Sequence, residues 1–247
     1  MAVQTFKIPD SIIEGMTYPF CPGCDHGVAL RLVAEVLDEL GVREKAITAG
    51  SVGCSVCIYN FLNVDTIEAP HGRALAVATG VKRAKPDKFV FTYQGDGDFA
   101  SIGLGESLHA ALRGENISTI CINNTTFGMT GGQLGPTTLI GQKTTTSPNG
   151  RTAEIYGYPI KIAEHVALCG GTAFSARVSL DTVANIRKAK QAIKKAFEMQ
   201  IEGKGFGFVE ILATCPTNWK MSPQEAHERV RGEMMETFVP GIYKELE

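Results

Sequence analysis

Apolar positions recur along this chain at two spacings, and the changes between them outline its elements. After Cys24, the positions Ala29, Leu32, Val33, Val36, Leu37 and Leu40 keep a three-to-four spacing until Gly41, the pattern of an amphipathic helix stopped by a glycine. KAITAGS (45–51) predicts a strand. A second helix is expected over 73–84, closed by Pro86, and FVFTYQ (89–94) is the short continuous apolar run of a strand buried on both faces. That run ends in Gly95-Asp96-Gly97-Asp98. A helix over 102–113 with Gly114 as its stop and the strand ISTICIN (117–123) complete a βαβ unit. Residues 124–151, rich in Thr, Gly and Pro, carry neither period; a stretch this long between elements usually bears function. Beyond it the pattern predicts a helix over 160–168, the strand TAFSARV (172–178), a long helix over 181–202 capped by Asp181, and the strand FGFVEIL (206–212), which leads into Cys215.

Strands alternating with helices predict an α/β fold, a mostly parallel sheet with helices on both faces and ligands at the carboxyl ends of the strands. No repeat, low-complexity tract or linker interrupts the pattern. Residues 1–247 are therefore expected to form a single domain with an N-terminal cysteine-bearing segment and a charged, partly helical C-terminal tail suited to a surface or interface.

Composition narrows the function classes. With 44% hydrophobic and 20% charged residues, 247 residues can bury a core without disulfides or a structural metal. The balance of 24 Lys+Arg against 26 Asp+Glu, a net charge of −2, gives no electrostatic reason to expect nucleic acid or an anionic membrane surface as partner. No apolar run reaches the roughly 18 residues of a membrane span, and the first twenty residues lack the basic start, apolar block and cleavage site of a leader. A cytoplasmic location is expected. Seven cysteines in such a chain read as reduced thiols or metal-ligating thiolates.

Two constellations carry chemistry. The first is Gly95-Asp96-Gly97 followed, after 25 residues, by Asn123-Asn124, both at carboxyl ends of expected neighbouring strands. Glycines let backbone N–H groups approach a phosphate, and the following helix adds its N-terminal partial charge. A diphosphate there needs a divalent cation, and Mg²⁺ takes hard oxygens: Asp96, Asn124 and the carbonyl of Thr126. On its own Gly-Asp-Gly reads more often as a tight turn, and the paired asparagines shift the balance to a site. The second is the cysteines: Cys21-Pro-Gly-Cys24, Cys54 in Gly-Ser-Val-Gly-Cys-Ser, and Cys215 before Pro216. Four thiolates gathered by the fold would suit an iron–sulfur cluster or zinc. Cys57 is an alternative fourth ligand, a thioredoxin-like pair at Cys21 and Cys24 is a third reading, and spacing alone leaves cluster, zinc and plain packing thiols open. Cys121, within a strand, and Cys169, at a helix end, read as packing residues.

The glycine–aspartate–glycine and paired-asparagine spacing resembles the thiamine diphosphate signature, and TFGMTGGQ (126–133) resembles the loop that closes over this cofactor in the 2-oxoacid:ferredoxin oxidoreductases. Residues 17–220 carry the family's elements in order, including the Cys-x-x-Cys, the Gly-Cys-Ser cysteine and the late Cys-Pro. The resemblance implies the thiamine diphosphate-binding beta subunit of such an enzyme. It implies a [4Fe–4S] cluster on Cys21, Cys24, Cys54 and Cys215, and Mg²⁺ on Asp96, Asn124 and the Thr126 carbonyl. It further implies cofactor contacts from Gly53, Ser55, His71, Gly95, Asp96, Gly97, Asp98, Asn124, Thr126, Gly128, Met129 and Thr130, with His71, in Glu-Ala-Pro-His-Gly-Arg (68–73), as the catalytic residue on the diphosphate. The activity implied is oxidative decarboxylation of a 2-oxoacid with coenzyme A to acyl-CoA and CO₂, electrons passing through the cluster to ferredoxin. The glutamate that activates the cofactor comes from a related partner chain in that family, so an alpha-type subunit, with gamma or delta subunits in some members, is an expected partner.

Members acting on dicarboxylates tend to carry a basic residue three positions after the cluster cysteine. Here that position is Cys57, and a buried unpaired carboxylate is costly. An apolar substrate such as 2-oxoisovalerate is favoured, its pocket lined by SVCIYNFL (55–62), Met129 and Leu134. Alternatives are 2-oxoglutarate, for which Arg73 would be a partner, or pyruvate in the same reaction; a non-redox thiamine decarboxylase or carboligase with structural zinc; and an electron-transfer or scaffold subunit.

Overall fold

The computed structural model describes residues 7–247; residues 1–6, part of the stretch read for a leader and of the expected domain, lie outside it. Its strands are β1 (Ala46–Gly50), β2 (Asp65–Glu68), β3 (Phe89–Gly95), β4 (Ser118–Asn123), β5 (Thr126–Phe127), β6 (Gln133–Leu134), β7 (Thr172–Ser179), β8 (Phe206–Leu212) and β9 (Gly241–Glu245). The α-helices are α1 (His26–Glu39), α2 (Ala74–Ala84), α3 (Leu104–Leu112), α4 (Ala153–Tyr156), α5 (Ile162–Leu168), α6 (Val183–Ile201), α7 (Pro216–Trp219), α8 (Pro223–Arg229) and α9 (Met235–Thr237). Seven strands form one sheet in the order β2-β1-β3-β4-β8-β7-β9. Within it every pairing is parallel except β7 with β9, and β5 and β6 form a separate antiparallel pair.

Alternation along the buried strands divides the core in two. Phe89, Phe91, Tyr93, Ile120, Ile122, Val209 and Ile211 face α1 and α6, whereas Val90, Cys121, Phe206 and Phe208 face α2, α3 and α5. This is the two-sided cover that all-parallel strands require. Cys121 is fully buried and Cys169 nearly so in that second cluster, as small apolar side chains. The register aligns the strand ends that matter: Gly50 pairs with Tyr93, Gly95 with Ile122, and Asn123 with Leu212. Residues just beyond β1, β3, β4 and β8 therefore emerge at one edge, and these include Cys54, Asp96, Asn124 and Cys215.

Two features differ from the sequence expectation. The long helix is capped by Thr182, whose hydroxyl accepts from Asn185 N–H at 3.2 Å, and not by Asp181; Asp181 instead accepts from Ser179, Asn185 and Arg231. The C-terminal tail contains a strand, β9, because the edge of β7 offers unpaired backbone groups that its few exposed residues satisfy. No described helix is long and apolar enough to cross a membrane.

Candidate active site

A cleft with about 540 Å³ of empty space, part of it open to solvent, lies at the carboxyl edge of β1, β3 and β4. Its lining includes Gly53, Ser55, His71, Gly95, Asp96, Gly97, Asp98, Asn124, Thr126, Gly128, Met129 and Thr130, together with His26, Val52, Cys54 and Phe127. Gly95 is open ground: a Cβ there would meet nothing nearer than Ser55 Oγ at 4.0 Å, leaving room for a ligand against the backbone. Gly97 is filled ground, since its missing side chain is replaced by the ring of Phe127.

Asp96 is 2% exposed. Its carboxylate accepts from Gly97 N–H at 2.9 Å and from the Thr137 hydroxyl, both neutral donors. Burial, with the charge of Glu210 adding to it, pushes its pKa up to about 7, and the donors of Thr137, Gly97 and the Thr125 backbone offset only part of that. A buried carboxylate without a cationic neighbour is electrostatically incomplete, and a dication supplies what it lacks. Asn124 and the Thr126 backbone add neutral hard oxygens on the same cleft wall. Among the described residues no three His, Cys, Asp or Glu groups stand close enough to hold one metal ion unaided. That fits a cation completed by carbonyl and phosphate oxygens, as Mg²⁺ prefers. Between the two asparagine-side ligands lies Thr125 at φ 60°, a left-handed conformation that is strained for a β-branched residue. Its carbonyl accepts from Thr138 Oγ1 at 2.6 Å and Gln142 Nε2 at 3.2 Å, and its N–H donates to Asn123 Oδ1 at 3.1 Å. These bonds hold the turn that presents Asn124 and Thr126 to the cleft.

Asp98 serves His71. Its Oδ1 receives His71 Nδ1 at 2.6 Å and Gly72 N–H at 2.7 Å, while Oδ2 receives Gln94 Nε2 at 2.5 Å. The carboxylate accepts the Nδ1–H and so fixes the ring, with Nε2 on the side away from Asp98. The 124–151 segment is ordered by Arg151, 4% exposed, whose guanidinium donates to the carbonyls of Gly135, Pro136, Thr138, Tyr156, Gly157 and Tyr158.

Cys24 lies within electrostatic range of Cys215 and Cys54, Cys54 within range of Cys215, Cys57 and Cys21, and Cys215 within range of Cys21. Thr214 ties the end of β8 to the cysteine pair, its N–H donating to Asp25 Oδ2 at 2.9 Å and its hydroxyl to the Gly23 carbonyl at 2.6 Å, which sets Cys215 beside the Cys21–Cys24 loop. Among the described residues no three of these thiols stand close enough to hold a single ion. Burial pushes the thiol of Cys24 up to about 12 and that of Cys54 to about 11, so thiolates there require nearby positive charge. Asn218 Nδ2 donates to Cys215 Sγ at 3.1 Å and to the Gly128 carbonyl at 2.9 Å. A Cβ on Gly128 would lie 3.5 Å from both Asn124 Nδ2 and Cys215 Sγ. One glycine therefore separates Asn124 from Cys215, and Cys54 lines the cleft itself. Cys57, near Cys54, also packs partly buried against the α1 side of the core.

The apolar pocket expected from 55–62, Met129 and Leu134 does not form as such. Ile58, Phe61 and Leu62 point into the core, and only Ser55 and Met129 of that set line the cleft. Arg73 faces elsewhere, bonded to the Ile102 carbonyl and paired with Glu106 at 3.1 Å. Sequence reading missed Thr137, Arg151, Asn218 and His26. His26 follows the cysteine pair, and its fully buried ring stacks on Phe20 at 5.0 Å, meets Tyr93 Oη at 3.0 Å, and is driven down to a pKa of about 4 by burial. The adjacent Cys21-Pro-Gly-Cys24 was the available signal for His26; the other three carry none without the fold.

Residues 51–211 match the family described as thiamine pyrophosphate enzyme, C-terminal TPP binding domain. The fold is thus that of a thiamine pyrophosphate-binding domain. The chain is 45% identical over 247 residues to the ketoisovalerate oxidoreductase subunit VorA of Methanothermobacter thermautotrophicus, covering 96% of this chain and 52% of that protein. It is 37% identical over 206 residues to the 2-oxoglutarate synthase subunit KorB of Archaeoglobus fulgidus, covering 83% of this chain and 73% of the relative. A solved structure of 2-oxoglutarate:ferredoxin oxidoreductase from Magnetococcus marinus, with 2-oxoglutarate, coenzyme A and succinyl-CoA bound, is similar with a TM-score of 0.78 at 26% identity, covering 99% of this chain and 86% of that one. The chain belongs to the family of 2-oxoacid:ferredoxin oxidoreductase subunits. It spans about half the length of the ketoisovalerate oxidoreductase relatives it matches.

Proposed function

We propose that this chain is the thiamine diphosphate-binding, beta-type subunit of an enzyme that oxidatively decarboxylates a branched-chain 2-oxoacid such as 2-oxoisovalerate. Coenzyme A takes the acyl group, CO₂ leaves, and electrons pass through a [4Fe–4S] cluster to ferredoxin. The observation that carries this reading is one cleft lined by a buried carboxylate without a cation, a carboxylate-oriented histidine, an open glycine and Cys54, with Cys215 one glycine from Asn124.

When bound, thiamine diphosphate supplies the carbon nucleophile and electron sink, Mg²⁺ neutralises and anchors its diphosphate, and the cluster takes up electrons one at a time. Asp96, Asn124 and the Thr126 carbonyl hold the Mg²⁺, and Gly95 clears space for the diphosphate. His71, oriented through Nδ1 by Asp98, is the side chain that meets the diphosphate. Gly53, Ser55, Met129 and Thr130 close the cleft around the ligand and exclude water. Cys21, Cys24, Cys54 and Cys215 ligate the cluster. The activating glutamate comes from an alpha-type partner, which makes the enzyme a hetero-oligomer. Two observations support a branched-chain substrate: the VorA relatives are named for ketoisovalerate, and Cys57 and Arg73 offer no cation to a distal carboxylate.

The test is the assembled enzyme purified without oxygen, assayed for iron and for coenzyme A-dependent viologen reduction with a panel of 2-oxoacids. Iron in the preparation and a higher kcat/KM for 2-oxoisovalerate than for 2-oxoglutarate or pyruvate are expected, with all turnover lost in Asp96→Ala. An iron-free preparation, or 2-oxoglutarate as best substrate, would overturn the corresponding part.

A further inference from the structure

Glu210 lies inside β8 with no solvent exposure, and it is absent from the cleft lining. All of its partners are donors. Oε1 accepts from Asn123 Nδ2 at 2.7 Å, and Oε2 accepts from Arg177 Nε at 2.9 Å and Ala163 N–H at 3.2 Å. Arg177 is also fully buried. It is held from the far side by both carboxylate oxygens of Glu164, by Tyr243 Oη at 2.7 Å and by the Val239 carbonyl at 3.1 Å. A buried ion pair is a poor device for stability alone, because desolvating both charges consumes most of the attraction. Here the pair ends on the one side chain that connects it to the cofactor loop.

Asn123 has no exposure either, so it does not itself face the cleft. Its amide works as a relay with a required direction. Glu210 only accepts, so Asn123 must present Nδ2 to it, which turns Oδ1 to the N–H of Thr125 at 3.1 Å. Thr125 is the strained residue at φ 60° between the Asn124 and Thr126 oxygens. Strain of this kind persists only where neighbours over-determine it. We propose that Glu210, anchored by Arg177, is a positioning residue of the cation site: by fixing the orientation of the Asn123 amide it holds the Thr125 turn that aims Asn124 and the Thr126 carbonyl at Mg²⁺. The proposal rests on the Mg²⁺ assignment above and adds a residue that does not touch the ion.

Glu210→Gln removes the directionality. A glutamine can donate to Asn123, turn its amide over and set two donors, Nδ2 and the Thr125 N–H, against each other. The readout is the Mg²⁺ concentration that half-saturates binding of thiamine diphosphate to the assembled enzyme, measured by calorimetry beside the thermal midpoint. Outer partners of a metal ligand are worth about 10- to 100-fold in metal affinity, so a rise of at least about tenfold is expected for Glu210→Gln. Glu164→Gln weakens the same arginine from its other side and leaves the Asn123 bond intact. It should lower the thermal midpoint without changing the Mg²⁺ requirement. If Glu210 acts through Asn123, then Asn123→Ala raises the requirement as well, and adding Glu210→Gln to it raises it no further. Equal effects of Glu210→Gln and Glu164→Gln, or additive effects with Asn123→Ala, would overturn the proposal. Should Glu210→Gln fail to assemble, Glu210→Asp decides: it keeps a charge for Arg177 but falls short of Asn123, and an unchanged Mg²⁺ requirement would refute the role. Thiamine diphosphate binding without any Mg²⁺ requirement in the parent enzyme would instead strike the cation assignment itself.

Discussion

Gly97→Ala separates a side-chain contact from a backbone effect. Gly97 has φ −65° and ψ −37°, helical values that alanine adopts without strain and in which it is favoured over glycine by about 0.5–1 kcal/mol. The added Cβ would stand 2.7 Å from Phe127 Cδ1 and 2.8 Å from Cζ, with Cε1 nearer still. Carbon atoms rest about 3.5–4.0 Å apart, so the ring must retreat by roughly 1 Å. Phe127 meets the His71 ring edge-on at 6.2 Å across the cleft and belongs to the loop bearing Thr126, Gly128 and Met129. Forced overpacking costs about 1–3 kcal/mol, which exceeds the backbone gain. The difference falls on the cleft, and thiamine diphosphate affinity should drop on the order of tenfold, equivalent to about 1.4 kcal/mol. Calorimetric titration of the assembled enzyme with thiamine diphosphate at saturating Mg²⁺ measures this, and Phe127→Leu in the same background should restore much of the loss. Parental affinity in Gly97→Ala, or a loss that Phe127→Leu leaves untouched, would refute the reasoning.

Arg151→Met removes a charged donor to six carbonyls while keeping the aliphatic stem; a stability loss on the order of 4 kcal/mol is expected, read as a lower thermal midpoint with faster hydrogen exchange over 135–158. Asp98→Asn takes from His71 the carboxylate that sets its tautomer, so kcat/KM should fall at least about a hundredfold with the thermal midpoint little changed; parental kinetics would remove His71 from the proposed role. His227 receives a raised pKa from its 2.9 Å bond to Asp25, reinforced by Asp181 and opposed by burial and Arg231. Its contribution to holding α8 on the cysteine segment is therefore complete below its ordinary value of 6.5 and is lost as pH rises through the raised folded value. The thermal midpoint of the parent should fall across that window more steeply than that of His227→Gln, and identical slopes would contradict the assignment.

The alternating βα pattern was legible because strands buried on both faces are continuous apolar runs and the helices end at glycine or proline. The motif at 95–98 and 123–124 stood out because few residue types would serve a diphosphate and a hard cation, and the fold brings Gly95, Asp96, Gly97, Asp98 and Asn124 to one cleft. What escaped was set by long-range contact. Thr137 reaches Asp96 across 41 positions and Asn123 reaches Glu210 across 87, separations no local pattern encodes. The substrate wall assigned to 55–62 failed for a related reason: a 3₁₀ segment, Cys54–Asn60, turns its apolar residues toward α1 and the core. The strand β9 escaped because it is exposed and draws its stability from the β7 edge alone, without an apolar run of its own.

One folded chain is proposed to hold a cation-anchored diphosphate beside a four-thiolate iron cluster, with Gly128 between Asn124 and Cys215. A structure of the assembled enzyme grown without oxygen, with thiamine diphosphate and Mg²⁺ added and anomalous scattering recorded at the iron edge, tests it most directly. Iron density enclosed by Cys21, Cys24, Cys54 and Cys215, and a diphosphate bound through Mg²⁺ to Asp96 and Asn124, are expected. A single zinc on those cysteines, or a cofactor bound away from Asp96, would contradict it.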